Sequence, residues 1–224
     1  MFRFRLIALA AGLLVLPKVA AAFPDTYAGR LEALTQVQRL QTQLLSRDSA
    51  SETLSLWCAE HHWADPAQIR AVRDTATVKP PSPQVRDLLG AGARTPIRYR
   101  RVKLMCGERV LSEADNWYLP GKLTAEMNRL LDQTDTPFGV AVKALNFKRQ
   151  GLDSRILLHP FEETGESGPS AAAPPPGAEA PPLSLPHAVI QNSAVLTAAD
   201  GTAFSVVVET YTGAALDQPS PPSR

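Results

Sequence analysis

Two charged side chains stand in stretches that otherwise read as buried strand. Arg101 lies within RYRRVKLMC, sharing a strand face with Tyr99 and Met105, and Glu209 follows three valines in FSVVVETY. A charge inside a buried strand is costly unless it is paired or hydrogen-bonded. Spacing by itself favours the plainer outcome, with both side chains emerging on the wet face of a one-sided antiparallel sheet. Facing a cavity instead, the guanidinium can hold a carboxylate through two parallel hydrogen bonds.

The remaining chemistry-bearing residues are less suggestive. His61 and His62 are adjacent, and adjacent helical residues point in different directions, so His61 extends an apolar stripe while His62 faces solvent. His159 and His187 lie beside prolines in segments expected to be loops, and no serine–histidine–acid constellation assembles from the sequence. Cys58 and Cys106 can pair in an oxidising compartment. Each also sits in an apolar pattern, where a lone thiol behaves as a small buried hydrophobe, and two buried thiols are favoured over a bridge. Neither has metal-ligand spacing. No metal or cofactor is expected.

The elements that must position these residues follow from periodicity. YAGRLEALTQVQRLQTQLL puts Leu31, Leu34, Val37, Leu40 and Leu44 on one helical face. Ser49 with Glu52 three residues on is a capping box that restarts a helix, whose stripe is Ala50, Leu54, Trp57, Cys58 and His61. Pro66 and then Pro80, Pro81 and Pro83 punctuate a segment read as extended or irregular, and RDLLGAGA reads as a short helical turn closed by Gly90. Two strands meet at Gly107-Glu108-Arg109, and Thr124 caps a helix running from about Ala125 to Gln133 that Pro137 cannot continue. VAVKALNFKRQGLDSRILLHP suggests further strand in two short pieces, and residues 188–211 form a hairpin around Ala199–Gly201 that completes the sheet.

Composition bounds the function. Among 224 residues, 23 Lys and Arg against 22 Asp and Glu leave no field to attract nucleic acid or an anionic membrane, so an anionic ligand must be held by placed cations. Arg3 and Arg5, the apolar run Leu6–Leu16 and Ala20-Ala21-Ala22 form the pattern of a signal peptide over residues 1–22, and the apolar run itself is shorter than a membrane span of ~20 residues. The expected protein is therefore periplasmic or secreted, without membrane attachment after cleavage, and monomeric. Were the first segment not a signal, it would be cytoplasmic. Residues 23–163 read as the main part of the domain. Residues 164–186, rich in Pro, Ala, Gly and Ser, read as a disordered insertion, 187–216 as the returning hairpin, and 217–224 as a disordered tail.

Four pieces in one order resemble the chorismate lyase-like superfamily, which includes the ubiquinone-pathway lyases and effector-binding domains of bacterial regulators. They are LLSRDSASETLSLW, the Arg101–Cys106 strand followed by a strand ending at Pro120, the turn Thr136-Pro137-Phe138-Gly139, and DGTAFSVVVET. The resemblance implies an α+β fold, an antiparallel sheet with helices packed on one face. It further implies a closed pocket in which Arg101 and the backbone of Phe138 hold a ligand carboxylate and Glu209 handles a proton. Ala50 stands where that family has a pocket methionine. Gly201 to Glu209 is one residue longer than the resemblance leads us to expect, and in a strand one residue reverses the face unless a bulge absorbs it. The activity implied is conversion of chorismate to 4-hydroxybenzoate and pyruvate, in which the protein mainly positions a dianion and excludes water. The alternative is an exported, non-catalytic domain that binds a small aromatic or carboxylated ligand.

Overall fold

The computed structural model describes residues 23–161 and 180–216. The signal segment, most of the Pro-rich insertion and the tail lie outside the described residues. Eleven main elements follow in chain order among them: α1 (Tyr27–Leu45), α2 (Ala50–Glu60), β1 (Ile69–Asp74), α3 (Pro83–Leu88), β2 (Arg98–Cys106), β3 (Arg109–Tyr118), α4 (Ala125–Gln133), α5 (Phe138–Ala141), β4 (Lys148–Ile156), β5 (Ala188–Thr197) and β6 (Ala203–Thr212). The strands form one sheet in the order β1-β2-β3-β6-β5-β4, with every neighbouring pair antiparallel. The class is α+β, as the resemblance implies. The C-terminal hairpin is not an edge ornament: β6 sits at the centre of the sheet between β3 and β5.

Local chemistry starts each helix. Thr26, Ser49, Ser82 and Thr124 each accept a backbone N–H three residues on, satisfying a donor that the first helical turn leaves unpaired. The buried face of α1 is Gly29, Ala33, Val37, Leu40 and Leu44, while Leu31 is about half exposed. The stripe is rotated toward Gly29 because the chain doubles back there, and a Cβ on Gly29 would lie 2.0 Å from the Pro24 carbonyl oxygen.

One sheet face carries Val102, Leu104, Ala114, Tyr211 and Ile190, covered by α1 and α2. Next to it Tyr118, Leu196 and Phe204 pack under α4 and α5. The opposite face carries Trp117, Val195 and Val206, covered by the short α3 through Val85 and Leu89.

Several local expectations are corrected. Ile69–Asp74, read as extended or irregular, is an edge strand in which Arg70 and Arg73 interrupt the apolar pattern. Residues 138–145 are helical turns, not strand, since Pro137 directs the chain into α5; the strand expected in two pieces is the single β4, with a register shift at Gly151/Asp153. Pro181 and Leu183 belong to the fold and not to a loose insertion. The Pro181 carbonyl accepts from Asp25 N–H at 2.7 Å, and Leu183 N–H donates to the Phe23 carbonyl at 2.7 Å.

The cysteines are also corrected, from two buried thiols to one disulfide. Cys58 on α2 and Cys106 at the end of β2 are bonded, with Cα atoms 6.1 Å apart. Both residues are fully buried, which is why an apolar pattern alone does not distinguish bridge from thiols. The closed loop spans a sequence separation of 48 residues, and such a cross-link stabilises by about 2–4 kcal/mol through restricting the unfolded chain. Replacing both cysteines with alanine is expected to lower the unfolding free energy in urea by that amount; an unchanged midpoint would contradict the bridge.

Candidate functional site

The α2 N-terminus, the α5 turn and the sheet border a cavity with about 420 Å³ of atom-free space, part of it open to solvent. The helical side supplies Ser49, Ser51 and Phe138. The sheet supplies Val102, Asn116, Val207 and Glu209, and Phe147 with Arg149 closes it from β4 and the turn before it. The approach of α5 to α2 requires glycine at position 139, where an added Cβ would meet Ser49 Oγ at 2.9 Å. That contact seats Phe138, which also packs against Tyr118 and Phe204.

Arg149 and Glu209 dominate the electrostatics. Arg149 Nη2 donates to Glu209 Oε2 at 2.6 Å and Nη1 to Oε1 at 3.4 Å, and both side chains are more than nine-tenths buried. Burial disfavours the guanidinium's charge, but the Glu209 carboxylate outweighs it and raises the Arg149 pKa. Tyr211 donates to Glu209 Oε2 at 2.8 Å, and its own pKa is pushed well up by complete burial and by that carboxylate, so the phenol remains a donor. Asp48 accepts the Arg149 backbone N–H at 2.9 Å, a bond that holds the Asp48 carboxyl below its ordinary value. Lys148 pairs with Asp48 at the rim, 3.1 Å away.

Glu209 and Phe138 thus meet in one cavity, while Arg101 lies elsewhere. Because strand side chains alternate, Arg100 and Val102 face the helices and Arg101 faces the other side. There it contacts three carboxylates: Glu113 at 2.5 Å, Asp115 at 3.0 Å and Asp74 at 3.3 Å. Lys79 and the Tyr99 hydroxyl complete this network on Asp115. Burial works against the charge on Asp115, yet these donors win and its pKa is lowered. Glu209 faces inward despite the extra hairpin residue, and register shifts between β5 and β6 fall at Leu196/Thr197 and Ala188/Ile190.

The cation that Glu209 does meet, Arg149, is missed by sequence reasoning. Lys148-Arg149-Gln150 reads as a polar edge, and nothing in its pattern marks the middle residue as buried. His61 is buried, as its place in the stripe predicts, stacked between Trp57 and Trp63. Among the described residues no group of three or more potential metal-binding side chains occurs, and no helix is long and apolar enough to cross a membrane.

No protein-family model matches the chain. It is 46% identical over 200 residues to the uncharacterized protein y4mC of Sinorhizobium fredii, covering 89% of this chain and 83% of that protein, and it belongs to the same family as y4mC. Solved structures similar to it include PhnF of Mycobacterium smegmatis, at 10% identity and TM-score 0.45 over 75% of this chain and 64% of that one. The PhnF effector domain gives 11% identity and TM-score 0.44 over 74% and 89% of the two chains. YydK of Bacillus subtilis gives 17% identity and TM-score 0.37 over 64% and 58%. The chain therefore spans less than two thirds of full-length PhnF and YydK.

The placement of Arg101 generates a test. Arg101→Ala leaves Asp74, Glu113 and Asp115 facing one another, and at this partly exposed site about 1–3 kcal/mol of stability should be lost, partly recovered by added salt. Ligand affinity at the Glu209 cavity should not change. Weakened binding at unaltered stability, read by calorimetry and urea unfolding, would return Arg101 to the ligand site.

Proposed function

We propose that this chain is a chorismate lyase-like binding domain that holds a small, flat, uncharged aromatic ligand in the Arg149–Glu209 cavity without converting it. The supporting observation is charge balance. Arg149 is the one cation among the residues lining the cavity, and Glu209 already neutralises it with two hydrogen bonds. A chorismate dianion entering this space would find no uncompensated cation, and burying unpaired charge is strongly unfavourable. An uncharged ring meets apolar walls from Val102, Phe138, Phe147 and Val207, and a hydroxyl or amide on it can bond to Ser49, Ser51, Asn116 or the ion pair.

The compartment belongs to the same proposal. Export is supported by the Leu6–Leu16 run and by a buried disulfide, a bond that persists outside the reducing cytoplasm. Protein purified from its native host should begin near Phe23; an intact Met1 in a cytoplasmic fraction would overturn this.

Titration calorimetry with 4-hydroxybenzamide and 4-hydroxybenzoate tests the ligand class. The uncharged amide should bind at least about tenfold more tightly, a difference near 1.4 kcal/mol, and Glu209→Gln should weaken it. Chorismate incubated with the protein should be recovered unchanged. Formation of 4-hydroxybenzoate, or tighter binding of the carboxylate, would contradict the proposal.

A further inference from the structure

Arg100 is the most deeply buried charge in the structure without a carboxylate partner among the described residues. Its side chain is 6% exposed, Nε donates to the Leu131 carbonyl at 3.1 Å, Nη2 donates to the Thr136 carbonyl at 3.0 Å, and Nη1 has no acceptor. Leaving a buried guanidinium donor unmatched is unfavourable.

The surroundings suggest what would match it. Strand β1 ends at Asp74, opposite Arg101, so Arg98 to Arg100 at the start of β2 have no strand partner on that edge. A solvent-open cleft with about 750 Å³ of atom-free space occupies the notch between this edge and the end of α4, and Arg100 lines it together with Arg73, Arg98, Tyr99 and Tyr118. It shares no lining residue with the Arg149–Glu209 cavity.

Cations outnumber carboxylates among the lining residues here, whereas in the cavity Asp48 and Glu209 outnumber Arg149. Arg101 is held by Asp74 together with Glu113 and Asp115, which lie outside the cleft lining. That leaves Arg73, Arg98 and Arg100 against a single lining carboxylate, Asp132, which Arg98 contacts at 2.6 Å. Asp135 is close enough to act on Arg100 but does not line the cleft. Arg73 donates instead to the Asp132 backbone carbonyl. Over the lining residues alone, four arginines stand against Asp74 and Asp132, a net positive charge that suits an anion such as a phosphate monoester.

From this juxtaposition we infer that the notch between β2 and α4 is a second ligand site, which takes the phosphate group of a small phosphorylated molecule. Arg73 and Arg98 meet the phosphate at the mouth, and Arg100 stands behind them in the wall. Burial pushes the Arg100 pKa down to about 10, which still leaves it charged at neutral pH, and a dianion would raise it again.

Calorimetric titration of the full chain with methyl phosphate tests the site, with acetate as the comparison. Saturable binding of one methyl phosphate is expected, and Arg100→Met and Arg98→Gln should each weaken it at least about tenfold. Arg100→Met replaces the charge with an apolar side chain of similar length, a change that buried sites commonly tolerate. Should that variant fail to melt cooperatively, Arg98→Gln and Arg73→Gln, whose side chains are exposed or half-exposed, decide the matter. Absence of saturable binding, or affinity unchanged in the folded variants, would overturn the site. Equal binding of acetate would overturn its assignment to phosphate.

Discussion

The ion pair between Arg149 and Glu209 is the interaction on which the cavity depends. Arg149 lies near the start of β4, Glu209 lies in the second half of β6, and β5 runs between them, so the pair reaches across a whole strand on the covered face of the sheet. It also touches the helical layer, because the Arg149 backbone N–H holds Asp48 in the loop that joins α1 to α2. Two charges removed from water are stable only when their geometry is good and their other bonding positions are filled. Tyr211 fills one such position on Glu209. Cavity shape and cavity charge therefore arise from one arrangement of three side chains.

The two faces of the sheet hold charge differently. On the helical face Arg149 is matched by Glu209, while Arg100 bonds only to backbone carbonyls. On the other face Arg101 gathers three carboxylates, and Lys79 and Tyr99 satisfy what remains of Asp115. This second network is partly wet and has α3 beside it as the main cover, so it orders the sheet's outer surface and leaves the cavity alone. The Cys58–Cys106 bond acts between the layers. It fastens α2 to β2, and α2 carries the Ser49 and Ser51 hydroxyls that face the ligand space.

Much of this architecture is legible in the residues themselves. The capped helices α2 and α4 appear where Ser49 and Thr124 place them, because N-capping is local chemistry. The hairpin of β5 and β6 follows from alternation and a turn. Arg101 illustrates where local reading ends. Alternation puts Arg100 and Arg101 on opposite faces with certainty, yet which face meets the helices depends on packing that no window of sequence contains. The resemblance to the lyases points to Arg101 by its distance from Cys106, whereas the inward-facing arginines are Arg100 and Arg149. Glu209 stands out because a carboxylate after three valines is unusual in itself, whereas Phe138 is singled out only by the resemblance; both line the cavity. The disulfide is not legible, since a buried half-cystine and a buried thiol sit in the same apolar pattern.

A double-mutant cycle on Arg149 and Glu209 tests the central claim most directly, using Arg149→Met, Glu209→Gln and the combined variant in urea unfolding. Each single change strands a buried charge or removes its partner, and about 3–5 kcal/mol should be lost for the arginine substitution. The combined variant should cost far less than the two single losses together, with a coupling of about 2 kcal/mol or more. Losses that simply add would show that the two side chains do not act as a pair, and the balanced-charge account of the cavity would fail.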